Sequence, residues 1–453
     1  MARAKKEAAL TPEERLQAAL VPDWEWPYKL PKNWCWTTVG TICDGFQYGY
    51  TEKATFEKIG PHFIRITDIG DGIINDSGAP YCKIDSDSFI KYKINKDDIL
   101  IARMGSVGEN GLATHNIDGV FASYLIRIVP RSSAKYVCNF LQTNLYWGQI
   151  SEKAQGTTRL NVNANVLKNL IIPLPPLAEQ QRIVDRIEIL FAKIDEAKEK
   201  AQAVVDSFET RKAAILHKAF TGELTAKWRE EHGVGMESWE HHQFSDLCAI
   251  VRGGSPRPAG DPRYYDGNIP FMKVADITRN DSPYVSKVEY SIKEEGLKKT
   301  RKVEANTLLL TNSGATLGVP AITTIRTTFN DGIAAFIGLD IDSLLFYYYF
   351  WTSKTAFLRS INMGAAQPNL NTKLIGEVEI DVPQTAERVE IARVLNALLS
   401  KEQQAKEAAE AVLDQSDLMK KSILARAFRG ELGTNDPSEE SAVELLKEII
   451  RRG

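Results

Sequence analysis

No apolar run in this chain approaches the roughly 20 residues needed to cross a bilayer. Its first residues, MARAKKEAALTPEE, are basic with no apolar stretch behind them, so neither a membrane span nor a secretory leader is expected. Cysteine is scarce. Cys35, Cys43, Cys82, Cys138 and Cys248 are scattered, odd in number and never in a CxxC spacing. That pattern fits reduced thiols in a cytoplasmic protein and argues against structural zinc. The six histidines (His62, His115, His217, His232, His241 and His242) show no HExxH or other metal spacing. A GxxxxGK[ST] phosphate loop is missing, as is a glycine-rich fingerprint between a strand and a helix. Neither sign of charge dominates, with a net charge of −3, so nucleic-acid binding would need a local basic surface or help from another subunit. DEAK, Asp195 to Lys198, has an acidic-x-Lys pattern seen in nucleases, but it falls on a helix where a charged face explains it. The chain offers no catalytic constellation and no metal or cofactor site of its own.

What it does have is a repeat. At 453 residues, two domains are expected. Sliding the sequence against itself by 208 positions lays Pro175–Leu224 on Pro383–Leu432 without a gap, with about 21 of roughly 50 positions identical. KAFTGEL (Lys218 to Leu224) thereby meets RAFRGEL (Arg426 to Leu432), and Glu179 meets Glu387. The same offset carries FIRITDI (Phe63 to Ile69) onto FMKVADI (Phe271 to Ile277), and GTTRLNVN (Gly156 to Asn163) onto GAAQPNLN (Gly364 to Asn371). The chain is two copies of one unit, each a variable globular head followed by a well-kept segment.

The well-kept segment reads as a long helix. Ile183, Ile187, Leu190, Ile194, Ala197, Ala201, Val204, Phe208 and Ile215 alternate spacings of three and four, interrupted at Arg211. That is a coiled-coil seam. The second copy repeats it at Ile391, Leu395, Leu398, Ala405, Ala409, Val412, Met419 and Ile423. Pro175 and Pro176 mark the first helix start, and Gly222 and Gly430 stand where a left-handed residue would end each helix. About 40 residues give about 60 Å at 1.5 Å per residue. Connectivity predicts antiparallel packing, with alanine-rich centres (Ala197, Ala201, Ala203; Ala405, Ala409, Ala411) that let the backbones come close. The expected architecture is α+β: two mixed α/β heads at opposite ends of an antiparallel two-helix coiled coil, related by a pseudo-two-fold axis.

Each head reads as short strands, turns and a helix. Strands are expected at Phe63 to Ile69, Ile99 to Ala102 and Ser123 to Val129, and at Phe271 to Ile277, Leu308 to Thr311 and Ile333 to Leu339. Helices are expected near Lys135 to Lys153 and Ser343 to Ile361. Three pairs of loops stand out: FQYGYTEK against VRGGSPRP, ARMGSVG against TNSGATLG, and TTRLNVN against AQPNLN. Glycine permits close backbone approach, Arg can read guanine edges and Asn or Gln adenine, and hydroxyls and amides hold phosphates. The plainer reading is that such loops simply turn a β-rich chain.

PLPPLAEQQRIVDRIE (Pro173 to Glu188), with AFTGEL after a long heptad helix, resembles the specificity subunit of type I restriction–modification systems. The second copy, VPQTAERVEIA (Val382 to Ala392), departs from that motif, lacking the double proline and the Gln pair. The resemblance implies an N-terminal extension (1–32), a first target-recognition domain (33–172), a central conserved helix (173–226), a second target-recognition domain (227–380), a C-terminal conserved helix (381–433) and a helical tail (434–453). It implies a non-catalytic, cytoplasmic subunit that binds a bipartite, asymmetric site on double-stranded DNA, one half-site per head, with the helices setting the spacer. Two methyltransferase subunits would dock and bring S-adenosylmethionine for adenine methylation, and restriction subunits would add ATP- and Mg-dependent cleavage. DNA contacts are then expected from Tyr48, Tyr50, Thr51, Arg65, Asp68, Arg103, Ser106, Arg159 and Asn161 in the first head. In the second they are expected from Arg252, Ser255, Arg257, Lys273, Asp276, Asn312, Ser313, Gln367 and Asn369. Asp68 and Asp276 also suit turn capping. A coiled-coil adaptor with protein-binding heads and a stand-alone DNA-binding module remain the alternatives.

Overall fold

A computed structural model describes residues 11–154, 161–360 and 370–452. The chain forms two compact units, Met1–Ala201 with Ala411–Gly453, and Gln202–Glu410. The cut passes through both long helices. Each unit therefore holds one head, the start of one helix and the end of the other.

The long helices span Leu177–Phe220 and Thr385–Ala427, so Pro175 and Pro176 immediately precede the first, as expected. Gly222 and Gly430 take left-handed φ values of 79° and 74° just past the ends. A Cβ on Gly430 would sit 2.5 Å from Pro31 Cγ, so space as well as conformation demands glycine there. Within each unit the helix segments run antiparallel. In the first, Lys198 reaches Asp417 and Lys420 reaches Asp195. In the second, Arg211 reaches Glu402 at 2.7 Å and Lys406 lies over the Phe208 ring. The seam's interruption at Arg211 is thus an interhelical ion pair. The first two pairs are exposed and contribute about 0–1 kcal/mol each. The seam is looser than its heptads suggest: of the six central alanines only Ala201 and Ala409 are buried, while Val412 and Met419 stay 40% and 49% exposed. In the first unit Leu190, Ile194, Val412 and Met419 line an open apolar cleft of about 380 Å³.

The first head contains a six-stranded sheet, in the order Cys43–Tyr48, Leu125–Pro130, Ile99–Ala102, Asn110–Leu112, Gly72–Ile74, Ile69–Gly70. A three-stranded sheet (His62–Ile64, Ile117–Phe121, Lys93–Ile94) adjoins it. The second head repeats this plan. Its five-stranded sheet runs Ala249–Arg252, Ile333–Ile337, Thr307–Thr311, Pro320–Thr323, Tyr284–Val285, and its smaller sheet gains a fourth strand, Tyr290–Ile292. The mixed character repeats as well, since His62–Ile64 runs parallel to its partner strand as Tyr265–Met272 does. The central strands are apolar on both faces (Ile99, Leu100, Ile101 and Leu308, Leu309, Leu310, all 0% exposed), as sheets covered on both sides require.

Two expected strands shorten. FIRITDI leaves the strand His62–Ile64 to turn through Ile66–Asp68 and enters a second strand only at Ile69, because Asp68 accepts the Arg65 backbone N–H at 2.8 Å and closes the turn. FMKVADI likewise leaves its strand at Met272 for a short helix, Val274–Thr278, closed by Asp276 on the Lys273 N–H. The helix expected near Lys135 to Lys153 is two, Ala134–Phe140 and Asn144–Lys153, since Thr143 caps the second and bonds back to Phe140. Its counterpart, Leu344–Ser360, is continuous.

The repeated phrases close each unit. Phe428 of RAFRGEL, 1% exposed, packs on Tyr136 and Phe140 of the first head, while Phe220 of KAFTGEL packs on Phe346 and Phe350 of the second. Glu179 and Glu387, 0% and 1% exposed, tie these junctions together. Glu179 accepts from Trp34 Nε1 (2.7 Å), Asn435 Nδ2 (2.9 Å) and Thr434 Oγ1 (3.4 Å). Glu387 accepts from Arg229 Nη1 (2.6 Å), Thr225 Oγ1 (2.7 Å) and Trp239 Nε1 (3.1 Å). Each carboxylate joins the entry of a head to the start of one long helix and the segment beyond the other's end. The tail helix Ala442–Arg452 buries Ala442, Leu446 and Ile449 in the first unit's core, with Leu16 and Leu20 of the N-terminal segment against that core.

Candidate nucleic-acid interface

In both heads the glycine-containing loops converge on one short turn. In the first it is Phe121 to Tyr124. Tyr50 donates its N–H to the Phe121 carbonyl, Ser123 to Tyr50, Ala122 to Ile64 and Arg103 to Tyr124. In the second it is Phe329 to Gly332. Gly254 donates to Phe329, Asn330 to Met272 and Asn312 to Gly332. The next loop joins through the same residue in each head: Val162 N–H bonds Arg103 O and Leu370 N–H bonds Asn312 O. Gly49 and Gly253 make the approach possible. A Cβ on Gly49 would lie 2.2 Å from the Ala122 carbonyl oxygen, and one on Gly253 2.2 Å from that of Asn330. These contacts make Gly49 equivalent to Gly253 and Tyr48 to Arg252, one position off the pairing read from the two loop sequences.

The side chains on this common frame differ. In the first head the Arg103 guanidinium stacks over the Tyr48 ring at 4.8 Å, and the Tyr48 hydroxyl accepts from Ala164 N–H. Met104 bridges to Asn161, whose Oδ1 is buried, like Arg103 Nε, without a hydrogen-bond partner among the described residues. Asp68 holds Arg65 by two bonds, 2.9 and 3.0 Å, and its carboxylate raises the Arg65 pKa. Gly105, beside Ser106, lies against Ile66, which brings this pair next to the Arg103 loop. Thr51 and Ser106 are exposed. Tyr50 is half-buried and packs on Tyr92, which makes it a support of the frame.

In the second head Asp331 gathers three of the expected residues. Its carboxylate accepts from Ser255 Oγ (2.5 Å) and Arg257 Nη2 (3.4 Å), and its carbonyl accepts from Arg252 Nε (2.7 Å). Burial pushes the Asp331 pKa up, but the Ser255 hydroxyl and the Arg257 and Arg252 charges prevail, leaving it below the ordinary value. Lys273 Nζ sits 3.1 Å from the centre of the Tyr290 ring, and all but Arg252 of this group line a cleft of about 280 Å³. Asp276 caps its turn on Lys273 and Glu289 N–H groups, so both carboxylate oxygens are taken. Asn312 is fully buried, with neither amide atom partnered among the described residues, and Ser313 is half-buried beside it. Arg159, Gln367 and Asn369 lie outside the described residues. Sequence reasoning missed Asp331 and its counterpart Ser123. The available signal was a polar pair, Asn330 and Asp331, set between Phe329 and the apolar run from Ile333 to Ile337.

Among the described residues no cluster of His, Cys, Asp or Glu could hold a metal ion, and no helix is long and apolar enough to cross a membrane. Burial pushes the Cys35 and Cys248 thiols up to about 12, far from nucleophilic.

Two unlike polar surfaces on one repeated frame define a recognition protein. The chain belongs to the family of the type I restriction modification DNA specificity domain, whose model matches residues 37–205 and 236–411. It is 24% identical to the type I restriction enzyme EcoKI specificity subunit of Escherichia coli strain K12, over 93% of this chain and 96% of the relative. With the StySPI specificity subunit of Salmonella potsdam the identity is 25%, over the same shares. The EcoBI specificity subunit of Escherichia coli is 29% identical over 45% of this chain and 44% of its own. In fold, the chain is similar to the HsdS subunit from Thermoanaerobacter tengcongensis, with a TM-score of 0.66 and 19% identity over 90% of this chain and 99% of that one.

Proposed function

We infer that this chain is the DNA-reading subunit of a type I restriction–modification complex and itself catalyses no step. Each head reads one half of an asymmetric, interrupted DNA site. The observation that carries this reading is the convergence of the same loops on the same turn in both heads, with Tyr48, Arg103 and Ser123 in one and Arg252, Asn312 and Asp331 in the other. A shared frame with different donors and acceptors is what two unlike half-sites require. The helices, at about 65 Å for 44 residues, are long enough to set a spacer of a turn or more of B-DNA, at about 34–36 Å per turn. With a net charge of −3, the chain leaves much of the phosphate clamp to partners. Those partners are two methyltransferase subunits, which bring S-adenosylmethionine, and restriction subunits that use ATP and Mg.

Exchanging the first head for that of a relative tests this reading. One half of the methylated motif should change and the other half and the spacer should stay. A change in both halves contradicts the assignment of one head to each. Absence of sequence-selective binding by the assembled complex favours a protein-binding adaptor instead.

A further inference from the structure

The second head carries a preset arginine pair with no equivalent in the first. Asp331 stands at the centre of it. Arg252 Nε is spent on the Asp331 carbonyl, which fixes the plane of the guanidinium and leaves both of its terminal nitrogens to donate. Arg257 gives only Nη2 to the carboxylate and is otherwise 71% exposed. Both arginines are thus turned by one residue, and each keeps donors free. The carboxylate already accepts from Ser255 and Arg257, one bond on each oxygen. The cleft beside them is lined by Lys273 over Tyr290, and by Asn330, whose Oδ1 is buried and accepts no hydrogen bond among the described residues. The cleft balances Arg257 and Lys273 against Asp266 and Asp331, and Arg252 beside it adds a third cation, although the chain as a whole is slightly acidic. Counting along the chain from the equivalent Gly49 and Gly253, and from the equivalent Phe121 and Phe329, puts Tyr48, Lys53 and Ser123 of the first head in register with Arg252, Arg257 and Asp331. The carboxylate and both arginines are absent there.

We propose that Asp331 is a positioning residue that presents Arg252 and Arg257 to guanine edges in the half-site read by the second head, one guanine to each arginine. Two parallel donors on a fixed guanidinium match the O6 and N7 acceptors on the major-groove edge of guanine, a pattern no other base presents. The proposal rests on the assignment of one half-site to each head and deepens it, naming a base and the residues that select it.

The test uses the full-length chain with its methyltransferase subunits in a host free of adenine methylation, and maps methylated sites genome-wide. The wild type is mapped first; if it gives no discrete two-part motif, the parent reading fails before any variant is made. Given a motif, R252A and R257A should each relax one guanine position in the half-site that moves with the second head. Preference for G there should fall about 5- to 150-fold, the other half unchanged. D331N, which keeps the side-chain volume, should relax the same positions less completely. A merely structural role would lower methylation evenly instead. The arginine variants alter exposed side chains, so they remain informative if D331N fails to fold. The proposal is overturned if that half-site contains no guanine. It is also overturned if the arginine variants leave its motif intact or weaken every position alike, as phosphate contacts would.

Discussion

Glu179 and Glu387 occupy the same place in the repeat, yet their replacement by glutamine should have unequal consequences. Glu387 faces Arg229, whose side chain is 9% exposed, at 2.6 Å. E387Q leaves that guanidinium buried with no counter-charge. Breaking a buried pair in this way costs about 3–5 kcal/mol. Glu179 accepts only from neutral groups, Trp34, Asn435 and Thr434. E179Q turns one acceptor into a donor and orphans one partner, a loss of about 1–3 kcal/mol. At about 2–4 °C per kcal/mol for units of this size, E387Q should lower the melting of the second unit by about 6–20 °C and E179Q that of the first by about 2–12 °C. Calorimetry reads the transitions, and hydrogen exchange at 222–239 and 434–442 assigns each to its unit. Arg229→Met in the E387Q background should recover part of the loss. An E179Q cost equal to or greater than that of E387Q would refute the reasoning, because the buried arginine would then not be the source of the difference.

Three further outcomes follow from the geometry. F428A should cost about 3–5 kcal/mol and strip exchange protection from 134–140 in the first head, although Phe428 belongs to the second repeat; F220A should instead loosen 344–350. Protection lost only in the head preceding the altered helix would contradict this. G49A and G253A place a Cβ 2.2 Å from a carbonyl oxygen. Each should destabilise its own head by about 1–3 kcal/mol and blur only its own half-site, as read by unfolding and methylation mapping. Asp331 has a depressed pKa, so its stabilisation is present above the ordinary value of 3.8 and is lost as the pH falls through its lower value in the folded head. Exchange at 252–257 should therefore rise on acidification in the wild type and show less of this dependence in D331N.

The repeat, the long helices and their glycine stops could be read directly, because they rest on periodicity and on residue types with one conformational meaning. The convergence of the loops could not. Gly49 and Gly253 look like ordinary turn residues until the carbonyls of Ala122 and Asn330 are seen beside them. Aligning the loop sequences put Gly49 opposite Gly254, since single residues shift freely where only backbone contacts hold the register. Asp68 and Asp276 were ambiguous between recognition and capping, and the structure shows capping for both, with Asp68 also holding Arg65. Asp331 was hidden because its partners lie more than 70 positions away in the chain.

The most direct test of the account is a map of methylated adenines in the host genome with and without this gene. The account predicts one interrupted motif with two unlike half-sites, which vanishes when the gene is deleted. A symmetric or uninterrupted motif that depends on this gene, or a methylation pattern unchanged by its loss, would contradict it.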